Sequence, residues 1–230
     1  MIGPKAPFPI RPWAIALFGF VLMALGWLSG LSLRADRSAV EWAVDRTARE
    51  PWASLWRSIT TLGDPPGSYA VVAGVVLVAA WLSNQRVLPI RPREGLAWGG
   101  LALGGQALNS LLKLAFQRPR PPEHFRMTQA TSYSFPSGHS FFAGAAFGLL
   151  AYLAWHAARP RSRPLALALI LLCGLMAILI ASSRVALGVH YPTDILGGLA
   201  LGAAWADASW RLTRAAARRS GSAAPPSAPG

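Results

Sequence analysis

The chain has 230 residues, of which 53% are hydrophobic and 13% charged, with a mean hydropathy of +0.37. A soluble domain carries about twice that charged fraction, so a water-exposed globular surface is excluded for most of the chain, and so is disorder. The net charge of +13 comes from 22 Lys+Arg against 9 Asp+Glu. The basic residues sit in short clusters between long apolar runs, which argues for anchors beside lipid headgroups and against a nucleic-acid partner. The single cysteine, Cys173, excludes an internal disulfide framework and reads as a small core residue.

A helix that crosses the hydrocarbon core needs about 20 mostly apolar residues. Residues 13–33 form a first run of 21 positions without a charge. It is too long for a signal-peptide core and no small-residue cleavage site follows, so an uncleaved span is expected. Next, Ser38-Ala39-Val40-Glu41 reads as a capping box with Ser38 at the N-cap. It predicts a short amphipathic helix to about Glu50, before Pro51, and Trp42, Trp52 and Trp56 suggest that this segment lies on the membrane surface. Further spans are expected at 65–83, 95–116 (uncharged to Leu112), 140–158 and 164–183. A sixth, 192–212, carries Asp194, Asp207 and Arg211; the last two are four apart and can pair on one helical face. Trp13, Trp81, Trp98, Trp155 and Trp210 lie near span ends, as interfacial anchors do. The expectation is an all-α integral membrane bundle of six transmembrane helices over residues 1–219, with one short interfacial helix between the first two spans. The tail 220–230 holds only Gly, Ser, Ala and Pro and is expected to be disordered.

Orientation follows from the basic residues. One side would hold Lys5, Arg11, Arg86, Arg91, Arg93, Arg159, Arg161, Arg163, Arg211, Arg214, Arg218 and Arg219, against the single acid Glu94. The termini are therefore expected in the cytoplasm and the first, third and fifth loops outside, at a bacterial-type inner membrane.

Three clusters break the apolar pattern, all on the outward side. They are Lys113-x6-Arg120-Pro121, then Pro136-Ser137-Gly138-His139, then Ser183-Arg184-x5-His190-x3-Asp194. Ionisable groups at membrane depth are costly and mark function, and three cations with two histidines suit an anion. Ser137 is read as an N-cap, Gly138 lets a ligand approach the backbone, and the helix that follows offers free N–H groups to phosphate. Pro192 suits the first turn of a helix, which sets Asp194 four residues after His190. Asp194 can then hold one imidazole nitrogen and leave the other free to attack. Arg118-Pro119 and Arg120-Pro121 look alike, and the residues themselves do not choose between the two arginines. His124, Glu123 and Arg126 read as loop surface, and His156 falls near the opposite face.

These three elements, in order and spacing, resemble the signature of the type 2 phosphatidic acid phosphatase superfamily, whose anion pocket is shared with soluble vanadium haloperoxidases. The resemblance implies a membrane lipid phosphate phosphatase. It makes His190 the nucleophile of a phosphohistidine intermediate, oriented by Asp194, and His139 the group that protonates the departing oxygen and then activates water. Lys113, Arg120 and Arg184, with Ser137 and the Gly138 N–H, would hold the phosphoryl oxygens; the resemblance also selects Arg120 over Arg118. Phosphoryl transfer is mostly positioning and electrostatic stabilisation, and fixed cations can take the part that metal ions play elsewhere. The nine acids form no cluster with metal-ligand spacing, so no metal and no cofactor are expected. Candidate substrates are phosphatidylglycerol phosphate, phosphatidic acid, undecaprenyl diphosphate and the phosphates of lipid A. A vanadate-dependent haloperoxidase and a non-catalytic lipid carrier on the same bundle are the rival readings; the long apolar runs disfavour the first and the intact clusters the second.

Overall fold

A computed structural model describes residues 12–88 and 92–219, without the side chains of 92–95. Lys5, Arg11, Arg91, the side chains of Arg93 and Glu94, and the tail 220–230 lie outside the described residues. The described secondary structure is helical throughout. It comprises α1 (Pro12–Leu28), α2 (Leu33–Thr47), α3 (Trp52–Thr60), α4 (Pro65–Asn84), α5 (Pro92–Phe116), α6 (Gly138–Ala158), α7 (Arg163–Ala186) and α8 (Pro192–Arg219), with a 3-10 turn at Glu123–Phe125. Helices α4, α6 and α7 are each long and apolar enough to cross a membrane; α1 and α2, bent by 97° at a short break, make a fourth if taken as one span. Helices α5 and α8 have the length, at 25 and 28 residues, but polar and charged side chains lower their hydropathy. Large apolar side chains point out of the bundle along its length, among them Leu171, Leu103, Leu77 and Phe18. In water such a surface is untenable, and in lipid it is solvated.

The segment between α1 and α4 departs from expectation. Helix α1 stops at Leu28 rather than running to residue 33, and Gly30 at φ +76° makes the turn that follows. Ser38 is not an N-cap: α2 starts at Leu33 after Ser32, and Ser38 lies exposed inside it. The reason is tertiary. Asp36, Val40 and Ala43, spaced 4 and 3 apart on one face, are all buried, and that burial extends the helix upstream of the capping box. A second short helix, α3, was not expected.

At the centre, α8 packs on α6, α1 and, over a smaller area, α7, and α6 packs on α7. The α6–α8 seam is nearly backbone on backbone. A Cβ on Gly198 would lie 2.6 Å from the Ser137 carbonyl oxygen, and one on Gly144 would lie 2.6 Å from the Leu199 oxygen. Gly198 and Gly202, four apart, allow this approach, as small residues do in membrane helix pairs. The seam brings the first turns of α6 and α8 together, and the Ser137 N–H donates to the Asp194 carbonyl at 3.1 Å. Both histidine motifs therefore open at the same end of the bundle.

Candidate active site

His190 sits in the short link between α7 and α8 and is 2% exposed. Its backbone N–H and that of Val189 donate to the Arg184 carbonyl at 3.2 and 3.0 Å. Its Nδ1 lies 3.3 Å from Asp194 Oδ2 and 3.3 Å from Ser134 Oγ. Its Nε2 lies 3.1 Å from an Arg120 Nη1. A guanidinium has only donors, so the Nε2 must present a lone pair and the proton belongs on Nδ1, facing Asp194. Burial pushes the pKa of His190 well below 6.5, and Arg120, Lys113, Arg184 and His139 push it the same way. The imidazole is thus a free base at neutral pH, surrounded by the cations and second histidine of the other motifs.

Arg120 is held by Val189 O at 2.8 Å and by the Ser132 carbonyl and hydroxyl. Burial, with a contribution from Arg126, lowers its pKa to about 10 against the pull of Asp194, which leaves it charged. Lys113, in the last turn of α5, donates to the Tyr133 carbonyl. Arg184, in the last turn of α7, is 5% exposed and donates to Thr60 Oγ1 at 2.6 Å. Its Nε has no hydrogen-bond partner among the described residues. Ser137 caps α6, accepting from the Ser140 N–H at 3.4 Å, and is fully buried. Gly138 opens α6 beside Asn109: a Cβ there would lie 3.4 Å from Asn109 Nδ2. His139, second in α6, lies with Nε2 3.0 Å from Asp64 Oδ1. Among the described residues no group of three or more His, Cys, Asp or Glu could hold a metal ion.

The other histidines stay apart. His124 is exposed and lies tilted against Phe125, with ring centroids 4.1 Å apart. His156 lies 17 residues after His139 on α6, or roughly 26 Å along the axis, against Trp210. Asp207 and Arg211 do pair, at 2.6 Å.

Sequence reasoning missed the site's supporting residues. Arg118, which the sequence left as a look-alike of Arg120, is fully buried and forks between two carboxylates: 2.6 Å to Asp194 Oδ1 and 2.7 Å to Asp36 Oδ2. It also donates to Thr193 Oγ1 at 2.6 Å and stacks on Trp27 and Tyr191 at 4.6 and 4.5 Å. Asp194 accepts as well from Ser134 Oγ and from the Tyr191 N–H at 2.8 Å. Asp36, Thr60 and Asp64, all from the segment between α1 and α4, thus back Asp194, Arg184 and His139 in turn. Local spacing carried no signal for these; the burial stripe of α2 at Asp36, Val40 and Ala43 was the one readable trace.

The model of the PAP2 superfamily matches residues 95–218, more than half of the chain. Phosphatidylglycerophosphatase B of Bacillus subtilis is 31% identical over 201 residues, covering 84% of this chain and 89% of that protein. Decaprenylphosphoryl-5-phosphoribose phosphatase of Mycobacterium tuberculosis is 32% identical over 171 residues, covering 69% and 88%. The crystal structure of a transmembrane PAP2 type phosphatidylglycerolphosphate phosphatase from Bacillus subtilis superposes with a TM-score of 0.71 at 26% identity, covering 88% of this chain and 96% of the other. On the family match and on relatives aligned over most of their length, the chain belongs to the PAP2 superfamily.

Proposed function

We propose that this enzyme, a phosphoric ester hydrolase of the PAP2 superfamily, removes a terminal phosphate from a membrane lipid by way of a phosphohistidine, without a metal ion. The observation that carries the reading is the state of His190. Its Nδ1 is tied to Asp194, its Nε2 lone pair is free of any proton, and Lys113, Arg120 and Arg184 act on it together. In the first half-reaction Nε2 bonds to phosphorus as the bond to the lipid oxygen breaks. His139 gives that oxygen a proton. The three cations, with Ser137 and the Gly138 N–H, bear the charge on the phosphoryl oxygens, where loss of one fixed donor costs about 3–4 kcal/mol. In the second half-reaction His139 takes a proton from water as its oxygen replaces Nε2 on phosphorus.

Several features support a lipid substrate in a bilayer. Helices on every side of the site are apolar outward, and a cavity of about 390 Å³ between α4, α5, α6 and α8 is lined by Tyr69, Val72, Trp98, Leu103 and Phe141. The relatives' names point to phosphatidylglycerol phosphate and to prenyl-linked phosphates; phosphatidic acid, undecaprenyl diphosphate and lipid A phosphates share the same chemistry. The remaining layout belongs to the same reading: six spans with α5 and α8 crossing despite their polar residues, α2 and α3 at the interface, both termini cytoplasmic, and the site facing outward from a bacterial inner membrane.

The test is phosphate release from a panel of mono- and diphosphate lipids in one detergent, in excess EDTA, with acid-quenched enzyme assayed for protein-bound phosphate. The expected result is turnover in EDTA and an acid-labile phosphate that His190→Ala lacks. Complete dependence on an added divalent ion would refute the metal-free mechanism, and full activity in His190→Ala would refute the nucleophile.

A further inference from the structure

His139 has a partner that belongs to none of the three motifs. Asp64 occupies the N-cap position of α4, with φ −75° and ψ 157°. An aspartate there ordinarily accepts from the N–H groups of the first turn. Pro65 and Pro66 remove two of those donors, and Asp64 makes no side-chain cap hydrogen bond. Its carboxylate reaches His139 instead, with Oδ1 3.0 Å from Nε2. Gly63 fixes the approach: a Cβ there would lie 2.9 Å from His139 Cγ, so the turn's backbone lies against the ring.

The charges around His139 make this contact chemically pointed. Arg184 from α7, Arg120 from the segment after α5 and His190 from the link before α8 all act on it, and Asp64 from the turn before α4 is the one anion among them. A proton on an imidazole beside two guanidiniums is disfavoured unless an opposite charge is close. Yet the acid in the reading above must carry a proton when the lipid oxygen departs.

We propose that Asp64 is a positioning residue for His139: it holds the Nε2–H, fixes the ring, and supplies the negative charge that keeps a transferable proton available for the leaving oxygen. Asp64 would then do for the acid–base histidine what Asp194 does for the nucleophile, on the opposite ring nitrogen. When the bond from phosphorus to the lipid oxygen breaks, that oxygen takes a proton from His139, which becomes neutral beside Asp64. Attack by water returns the proton to His139.

This role rests on the phosphatase reading, and its test separates the two. Asp64→Asn keeps the shape and removes the charge. The pH dependence of kcat/KM is measured with a lipid phosphate, whose alcohol needs a proton to leave, and with a lipid-tailed nitrophenyl phosphate, whose phenolate does not. General acid catalysis is worth about 10²–10⁴-fold. Asp64→Asn is expected to lose roughly tenfold or more on the lipid phosphate, with the alkaline limb displaced to lower pH, and less than about threefold on the nitrophenyl ester. Asp64→Glu is expected to recover the alkaline limb, and His139→Ala to show the same substrate contrast more strongly. An equal loss on both substrates with an unchanged pH profile would mean a purely structural residue and would overturn the proposal, as would wild-type behaviour of Asp64→Asn. Wild-type enzyme that turns over neither substrate would refute the phosphatase reading itself.

Discussion

Replacing Arg118 by Met keeps much of the side-chain length and removes the fork that holds Asp36 and Asp194. All three groups are buried, at 0%, 2% and 0% exposure. The guanidinium makes three hydrogen bonds of 2.6–2.7 Å to these carboxylates and Thr193, and stacks on two aromatic rings. Removing one member of a buried ion pair costs about 3–5 kcal/mol, because the partner stays desolvated without its counter-charge. At roughly 2–4 °C per kcal/mol for a chain of this size, the melting midpoint in detergent should fall by about 10 °C. Turnover should fall as well, since Asp194 would no longer be held where it orients His190. The double variant Arg118→Met/Asp36→Asn should melt higher than Arg118→Met alone, because one stranded carboxylate is gone; such non-additivity is the mark of contact. Arg118→Lys should fall between, because an ammonium cannot fork to two carboxylates. A melting midpoint within about 2 °C of wild type for Arg118→Met, together with unchanged turnover, would refute the reasoning.

Two further outcomes are expected. Thr60→Val removes the 2.6 Å acceptor of buried Arg184; a hydrogen bond to a charged group is worth about 1.5–3 kcal/mol, so inhibition by vanadate, which copies the transferring phosphoryl group, should weaken about tenfold or more while the fold persists. His190 has a folded pKa far below its ordinary 6.5. As pH falls below that value the unfolded chain takes up a proton that the folded chain refuses, so this group costs stability progressively down to its folded pKa. For the same reason the acid limb of kcat/KM should lie below the ordinary histidine range, and a limb centred at 6.5 or above in the free enzyme would count against the assignment.

The candidate site was legible where the reading rests on a residue type at a fixed spacing near a helix end. Ser137 as a cap, Asp194 four residues past His190, and the Asp207–Arg211 pair all depend on local geometry, which sequence encodes directly. What supports them was not legible. Asp36, Thr60 and Asp64 lie in a stretch with five acids and five arginines, and nothing local says which of those charges is buried. Arg118 differs from Arg120 only in the direction its side chain takes, a property of the packed bundle. The capping box at Ser38 was a sound local reading that burial of Asp36 overrode. The seam between α6 and α8 was readable in principle, since Gly198 and Gly202 have the spacing of close-packed membrane helices.

The elbow between α1 and α2 couples distant things. Past that 97° corner the chain runs out of its first helix and comes back to grip the machinery from behind, through Asp36, then Thr60, then Asp64. A disturbance that tugs this strap by an ångström, whether an altered lipid surface, a harsh detergent or a substitution far along the chain from any motif, would misalign three supports at once while leaving every reacting atom in place. Loss of activity after mutating this stretch is therefore no evidence that the altered residue meets the substrate.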